Sequence, residues 1–440
     1  MNSKKKNNYQ GNSSNFTELA GKAGEYLFPL YYYWAGERFR SSKKLFGIFI
    51  QQLQSFESFL DDHGARLNKK WFYFSELIAS MRNLGIVAYL LHHIFYRYEH
   101  YKIEEIEKDS SDFIVDTGQT LEFVNQFIKK LFIACLEEAK ELRIPVKEIV
   151  PPEKEYSDIE ATQPLPVDFE FKKVDGEKER ILSLARKVRK VAKMCREENL
   201  GCKFSSDELF ELVPLKINEK KARKLKTIIH GVQSDYDTYV KNTVMERENS
   251  KLSDLRRATS IPLHLLEAAR WLSHFYERHE SDTNPNSASE KIAAVVDRKE
   301  VLDKIINFCF YYSNYYMQKG NALAEDIMTA YVEKVQYELP VPKPLGFHAK
   351  PSTYVSLIVN EHGTDVEMIV DSQRFNAKSV INLLMAAGLI SDKGYEKVIF
   401  EGDRQVLDDL KILAENNYCE DDKIPEKLNY LRILRNMPRV

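Results

Sequence analysis

The segment PLGFHAKPSTYV, from Pro344, sets one histidine between a glycine and a proline, directly ahead of an apolar run. Neutral imidazole is nucleophilic near physiological pH, and a phosphoryl group on a ring nitrogen is energetic enough to be handed onward. His348 is therefore a candidate phosphoacceptor, against the plainer reading of a solvated loop histidine. Gly346 permits a sharp approach of the chain, and Pro351 falls in a first helical turn, where its missing N–H is tolerated. The free amides of a helix beginning there, and its dipole, would favour an added phosphate. Lys350 brings positive charge to the same place and is expected to stabilise that phosphate.

Elsewhere, histidines gather in two predicted helices. His92, His93 and His100 share one with Glu99, while His264, Glu267, His274, Glu277 and His279 lie along another. Metal ligation from one helix needs ligands three or four residues apart. His264 with Glu267 and His274 with Glu277 meet that spacing. There is no HExxH and no matching pair elsewhere that the sequence can identify, so the expectation is ordinary core and surface histidines and no metal. The five cysteines, Cys135, Cys195, Cys202, Cys309 and Cys419, are odd in number and lack CxxC spacing, which fits a reducing, cytoplasmic compartment.

A net charge of −2, from 64 basic and 66 acidic side chains, gives no global attraction to nucleic acid. The basic stripes RKVRKVAK from Arg186 and KKARKLK from Lys220 have acidic neighbours and read as solvated helix faces. The aromatic runs YLFPLYYYW from Tyr26 and NFCFYYSNYYM from Asn307 have helical spacing and read as packing rather than base-stacking platforms. The apolar stretch GIVAYLLHHIFYRY from Gly85 is broken by two histidines and an arginine, short of the roughly 20 apolar residues of a bilayer span, so an integral membrane protein is not expected. There is no P-loop glycine pattern and no GxSxG elbow.

The elements that must carry these residues follow from hydrophobic period. A chain of 440 residues suggests two or three domains. Residues 1–15 read as a disordered tail, 16–143 as a helical domain, 144–176 as a proline-rich linker and 177–332 as a second helical domain. From 333 to 420 short strands alternate with short helices, and 421–440 is taken as a C-terminal tail. In DVEMIVD, Val366, Met368 and Val370 alternate onto one face, as a half-buried strand requires. The fold class is thus a mainly α N-terminal region followed by a small α+β domain.

Three motifs in that last domain, GFHAKP at Gly346 to Pro351, AKS at Ala377 to Ser379 and EGD at Glu401 to Asp403, resemble the HPr phosphocarrier family of the phosphotransferase system. The resemblance covers the last fifth of the chain, and 31 residues separate His348 from Ser379, as it demands. It implies an open-faced β-sandwich, an antiparallel sheet covered by helices. It also implies that His348 accepts a phosphoryl group from phosphoenolpyruvate by way of Enzyme I and passes it to a sugar-transport component or a regulatory protein, with no further cofactor. Ser379 matches the serine that a dedicated HPr kinase phosphorylates in some bacteria; the alternative is an N-cap serine without a regulatory role. Two departures stand out. Lys350 occupies a position where the family more often has arginine, whose planar fork grips phosphate bidentately, and the stretch from Lys378 to Gly394 is longer than usual, beside the surface where the family's partners dock.

The working expectation is a phosphocarrier domain behind a large helical region, in a regulatory branch of the phosphotransferase system. A phosphorylation-responsive interaction module, switched at His348 or Ser379 without onward transfer, remains open beside it. So does a helical region that is itself an enzyme, although no constellation there names a reaction.

Overall fold

The computed structural model describes residues 16–37, 39–101, 103, 111–159, 165, 168, 170–173, 175–198, 201–279 and 287–436. The expected disordered tail 1–15 lies outside the described residues, as does part of the proline-rich stretch. The chain divides into two compact units, Met1–Val174 with Lys190–Asn321, and Asp175–Arg189 with Ala322–Val440.

In the first unit, the two helical stretches expected as successive domains share one body. The helix Phe72–Tyr101 packs against Lys43–Asp62 and Ser111–Glu141 from the first stretch and against Ser250–His279 from the second. The helix Lys43–Asp62 buries Leu45, Phe46, Phe49, Leu53, Phe56 and Leu60, the stripe its three- and four-residue apolar steps dictate. Ser42 caps it by accepting the Leu45 amide at 2.9 Å, and the Asp158 carboxylate accepts the amides of Lys43 and Lys44 at 2.9 and 2.8 Å. The described start of the proline-rich stretch is thereby fastened to this unit, with Tyr156 buried against Tyr33 at 4.7 Å between ring centroids.

Phe72–Tyr101 is long and apolar enough to cross a membrane, further than its histidine-broken run implied. In the fold it is a core helix, with 78% of its most apolar window buried inside the protein. Both aromatic runs pack as expected: Trp34 lies against Phe46 and Phe49, and Phe308, Tyr312 and Tyr316 surround Phe113.

The second unit is built on a four-stranded antiparallel sheet in the order β1-β4-β2-β3. Its strands are β1 (Lys334–Pro340), β2 (Val366–Val370), β3 (Gln373–Asn376) and β4 (Lys397–Asp403). Alternation assigns the faces. Leu339, Val366, Met368, Val370, Val398 and Phe400 turn into one core with the helices Ala349–His362, Val380–Lys393 and Arg404–Glu415. On the other face Arg374 bridges Glu367 and Glu401 at 2.6 and 2.7 Å, in contact with solvent. Residues expected as a tail join the core: Leu428 and Leu431 are buried, and Tyr430 donates to Asp409 at 2.7 Å.

Mid-chain residues also belong to this unit. Arg186 reaches the buried Asp403 at 3.1 Å and Gln405 at 2.8 Å. Arg189 donates to the carbonyl of Gly363 at 2.7 Å. Gly363 ends its helix at φ +76°, and the Arg189 guanidinium fills the space a side chain would need.

Breaking a buried ion pair from one side strands the other charge, at a cost of about 3 kcal/mol or more. Asp403→Ala should therefore accelerate hydrogen–deuterium exchange of the β1, β2 and β4 amides by roughly that free energy. Adding Arg186→Met to the same chain should recover at least half of it; equal exchange in the single and double variants would rule out the pair as the cause.

Candidate functional site

The connection from β1 to the helix Ala349–His362 sets the site. Gly346 stands at φ +68° with no side-chain obstacle nearer than 3.9 Å, so conformation rather than space selects glycine. The turn closes through the His348 amide, which donates to the Gly346 carbonyl at 2.9 Å, while Phe347 buries its ring against Tyr418 and Phe400. His348 thereby becomes the N-cap of the helix, and its side chain accepts from the Lys350 amide at 3.4 Å. The accepting atom is Nδ1, so this nitrogen carries the lone pair and the proton resides on Nε2.

Nε2 lies 2.9 Å from Glu420 Oε1, at ion-pair distance though off the line of a hydrogen bond, and neither buried atom has another polar partner. Lys350 Nζ donates to the Glu420 carbonyl at 2.7 Å and lies 3.2 Å from Asp422. His348, Lys350, Glu420 and Asp422 therefore meet in one place, with the first-turn amides at its floor. Pro351, third in the helix, is buried and forfeits no bond, because first-turn amides have no carbonyl one turn back.

Glu420 and Asp422 were not singled out in the sequence. They are delivered by a left-handed turn in which Asn417, Tyr418 and Cys419 hold φ of +46°, +51° and +58°. Such a run of non-glycine residues costs roughly 1–2 kcal/mol per residue. The surroundings enforce it: Asn417 exchanges two hydrogen bonds with the backbone of Lys343 at 2.9 and 2.7 Å, and the buried Tyr418 donates to the Pro340 carbonyl at 2.9 Å. Backbone strain held in this way clusters at functional sites. Burial pushes the Cys419 thiol up to about 11, which leaves it protonated and a poor nucleophile.

Ser379 caps the helix Val380–Lys393 by accepting the Asn382 amide at 3.3 Å. The preceding Lys378 carbonyl accepts Ser356 at 2.6 Å, which places Ser379 about 12 Å along the first helix from His348. Ile381, Leu384 and Met385, spaced on one face of the helix Val380–Lys393, are exposed by 71%, 40% and 63%, and Leu345, three residues before His348, by 75%. That apolar surface had not been singled out either.

The other candidate groups sit in the helical unit. His93 Nε2 lies 2.8 Å from the Tyr101 hydroxyl, which is 3.5 Å from His264 Nε2. His92 stacks on Tyr96 at 4.2 Å. His274 contacts Glu219 at 2.8 Å, Glu277 accepts the Glu219 amide at 2.7 Å, and Glu267 accepts from Arg270 and Trp271 at 3.1 Å each. The residues spaced for a metal thus serve other contacts: His264 joins the His93–Tyr101 cluster, Glu267 and His274 lie in ion pairs, and Glu277 takes a helix-end amide. Among the described residues, no three His, Cys, Asp or Glu converge in a metal-holding group. The side chain of His279 lies outside the described residues.

No known protein family, curated protein or solved structure matches the chain.

Burial lowers the pKa of His264 to about 4, with His93 and Arg256 adding to the shift. An unfolded histidine titrates near 6.5, so between these values the unfolded chain binds the proton that the folded one refuses. The contribution is complete above pH ~6.5 and declines as pH falls toward ~4, by at most about 1.4 kcal/mol per pH unit. His264→Leu should flatten that part of the stability profile, measured by denaturant unfolding monitored through helix ellipticity at pH 7, 6 and 5. An unaltered slope would show that His264 does not carry the effect.

Proposed function

We propose that the C-terminal unit is an HPr-like phosphocarrier in which Nδ1 of His348 is the acceptor atom. The observation that carries the proposal is the orientation of the imidazole, with its lone pair over a helix N-terminus and its other nitrogen against Glu420. Nδ1 attacks phosphorus as the bond to the leaving group breaks, and the ring becomes cationic. The Glu420 carboxylate offsets that charge at Nε2, while the amides of Ala349 and Lys350 and the helix dipole receive the phosphate oxygens. Lys350 joins them by releasing one of its bonds to Glu420 or Asp422. Transfer onward reverses the same steps on a second acceptor.

The open-faced antiparallel sheet with helices on one side supports this reading, because it is the architecture the three motifs imply. The donor would be an Enzyme I-like phosphotransferase charged by phosphoenolpyruvate, and the acceptor a sugar-transport component or regulatory protein of a cytoplasmic pathway. The exposed Leu345, Ile381 and Met385 supply a surface for either partner.

The same surface favours one second reading, an interaction module without onward transfer. A phosphate on Ser379, from an HPr kinase, would sit on the N-terminus of the helix that displays Ile381 and Met385 and alter what that helix binds.

Incubation with Enzyme I and labelled phosphoenolpyruvate should give an acid-labile phosphoryl label that His348→Ala abolishes. Glu420→Gln should slow labelling about tenfold or more, as removal of a charge that stabilises the reacting ring does. If neither parent nor variant is labelled while a control carrier is, the carrier reading fails and the interaction module stands.

A further inference from the structure

The helical unit contains a cavity of about 630 Å³ beside the start of the helix Glu219–Tyr239. That volume accommodates a nucleotide-sized ligand. Four lysines, Lys216, Lys220, Lys221 and Lys224, border it. The two carboxylates on the same wall are engaged: Glu198 pairs with Lys221, and Glu197 lies 3.8 Å from Lys193. Among the described residues Lys216, Lys220 and Lys224 make no ion pair or side-chain hydrogen bond, so three ammonium groups border the concavity without a direct carboxylate partner.

Helix amides are not the attraction here. The Glu219 amide already donates to Glu277 at 2.7 Å and the Lys221 amide to Asn218 at 2.9 Å. The cavity's own second feature is an apolar wall containing Phe204, Ile217 and Leu215, the last 82% exposed. Phe204 is held from a distance. Asn307 accepts its N–H at 2.8 Å and donates to its carbonyl at 2.9 Å, and Asn307 lies in the π-helical segment Lys304–Phe310. π-helical turns are rare and recur at functional sites. Here the turn presents the side chain that fixes the cavity wall.

We propose that this cavity binds a small organic phosphate, its phosphate groups against Lys216, Lys220 and Lys224 and its ring or carbon skeleton against Phe204 and Leu215. A half-open pocket of this size, with three ammonium groups on its rim and an apolar wall, suits a compact organic phosphate that places its charge at the mouth and its skeleton against the wall. The site lies in the helical unit and is independent of the phosphocarrier reading.

Isothermal titration of the full chain with ATP, AMP and inorganic phosphate tests it. ATP should bind saturably at one site, more tightly than AMP, with inorganic phosphate weakest. Lys216→Gln/Lys220→Gln/Lys224→Gln should weaken ATP binding about tenfold or more. Lys69→Gln/Lys70→Gln, which removes exposed charge elsewhere, should leave it unchanged. These lysines are solvent-facing, and an unaltered circular dichroism spectrum will confirm that the triple variant folds. Absence of saturable binding at millimolar concentrations, equal affinity of the triple variant and the parent, or inorganic phosphate binding as tightly as ATP would each overturn the proposal.

Discussion

One buried carboxylate organises the C-terminal unit. Asp403 ends β4, caps the helix Arg404–Glu415 by accepting the Gln405 amide at 3.1 Å, and receives the guanidinium of Arg186 from more than two hundred residues earlier. A charge with so little access to water requires a partner, and Arg186 supplies it. The sheet domain therefore includes part of the mid-chain helix Glu177–Glu197 within its own structure. A fragment beginning at β1 would bury Asp403 without its counter-charge and would leave the Gly363 carbonyl without Arg189.

The surroundings of His348 have the same dependence on distant segments. His348 is placed by a glycine turn after β1, but the groups that face its far side, Glu420 and Asp422, arrive from beyond the last sheet-packing helix. The left-handed turn at Asn417–Cys419 is unfavourable in isolation and is enforced by bonds to Lys343 and Pro340, the same loop that presents the histidine. Imidazole and carboxylate are thus referenced to one piece of backbone, which fixes their separation more firmly than either loop could alone.

Local signals in the sequence located His348, Gly346 and Ser379 as helix-entry residues, because capping and turn chemistry depend on near neighbours. The alternation of Val366, Met368 and Val370 likewise appears as one buried face of β2. β3 escaped notice because it has four residues and enters through Asp371 and Ser372, both at positive φ, where Asn-Gly would have signalled a hairpin. Glu420 and Asp422 sit in a charged run with no period, so only the tertiary fold reveals what they face. The membership of residues 175–189 in the sheet unit was equally hidden, since amphipathic spacing tells which helix face is buried and not against what. In the opposite direction, the histidine–glutamate spacings were legible, but inside the helical unit those residues serve a histidine–tyrosine cluster, ion pairs and a helix-end bond.

The borders of the sheet limit how another protein can meet this unit. β3 is short, and β1 carries exposed Lys334 and Glu338 and runs into Pro340, Pro342 and Pro344. Proline and charge on an outer strand leave few consecutive donors for a visiting strand to pair with. Recognition by strand addition is thereby disfavoured, and side-chain shape has to supply the specificity that main-chain pairing would otherwise provide.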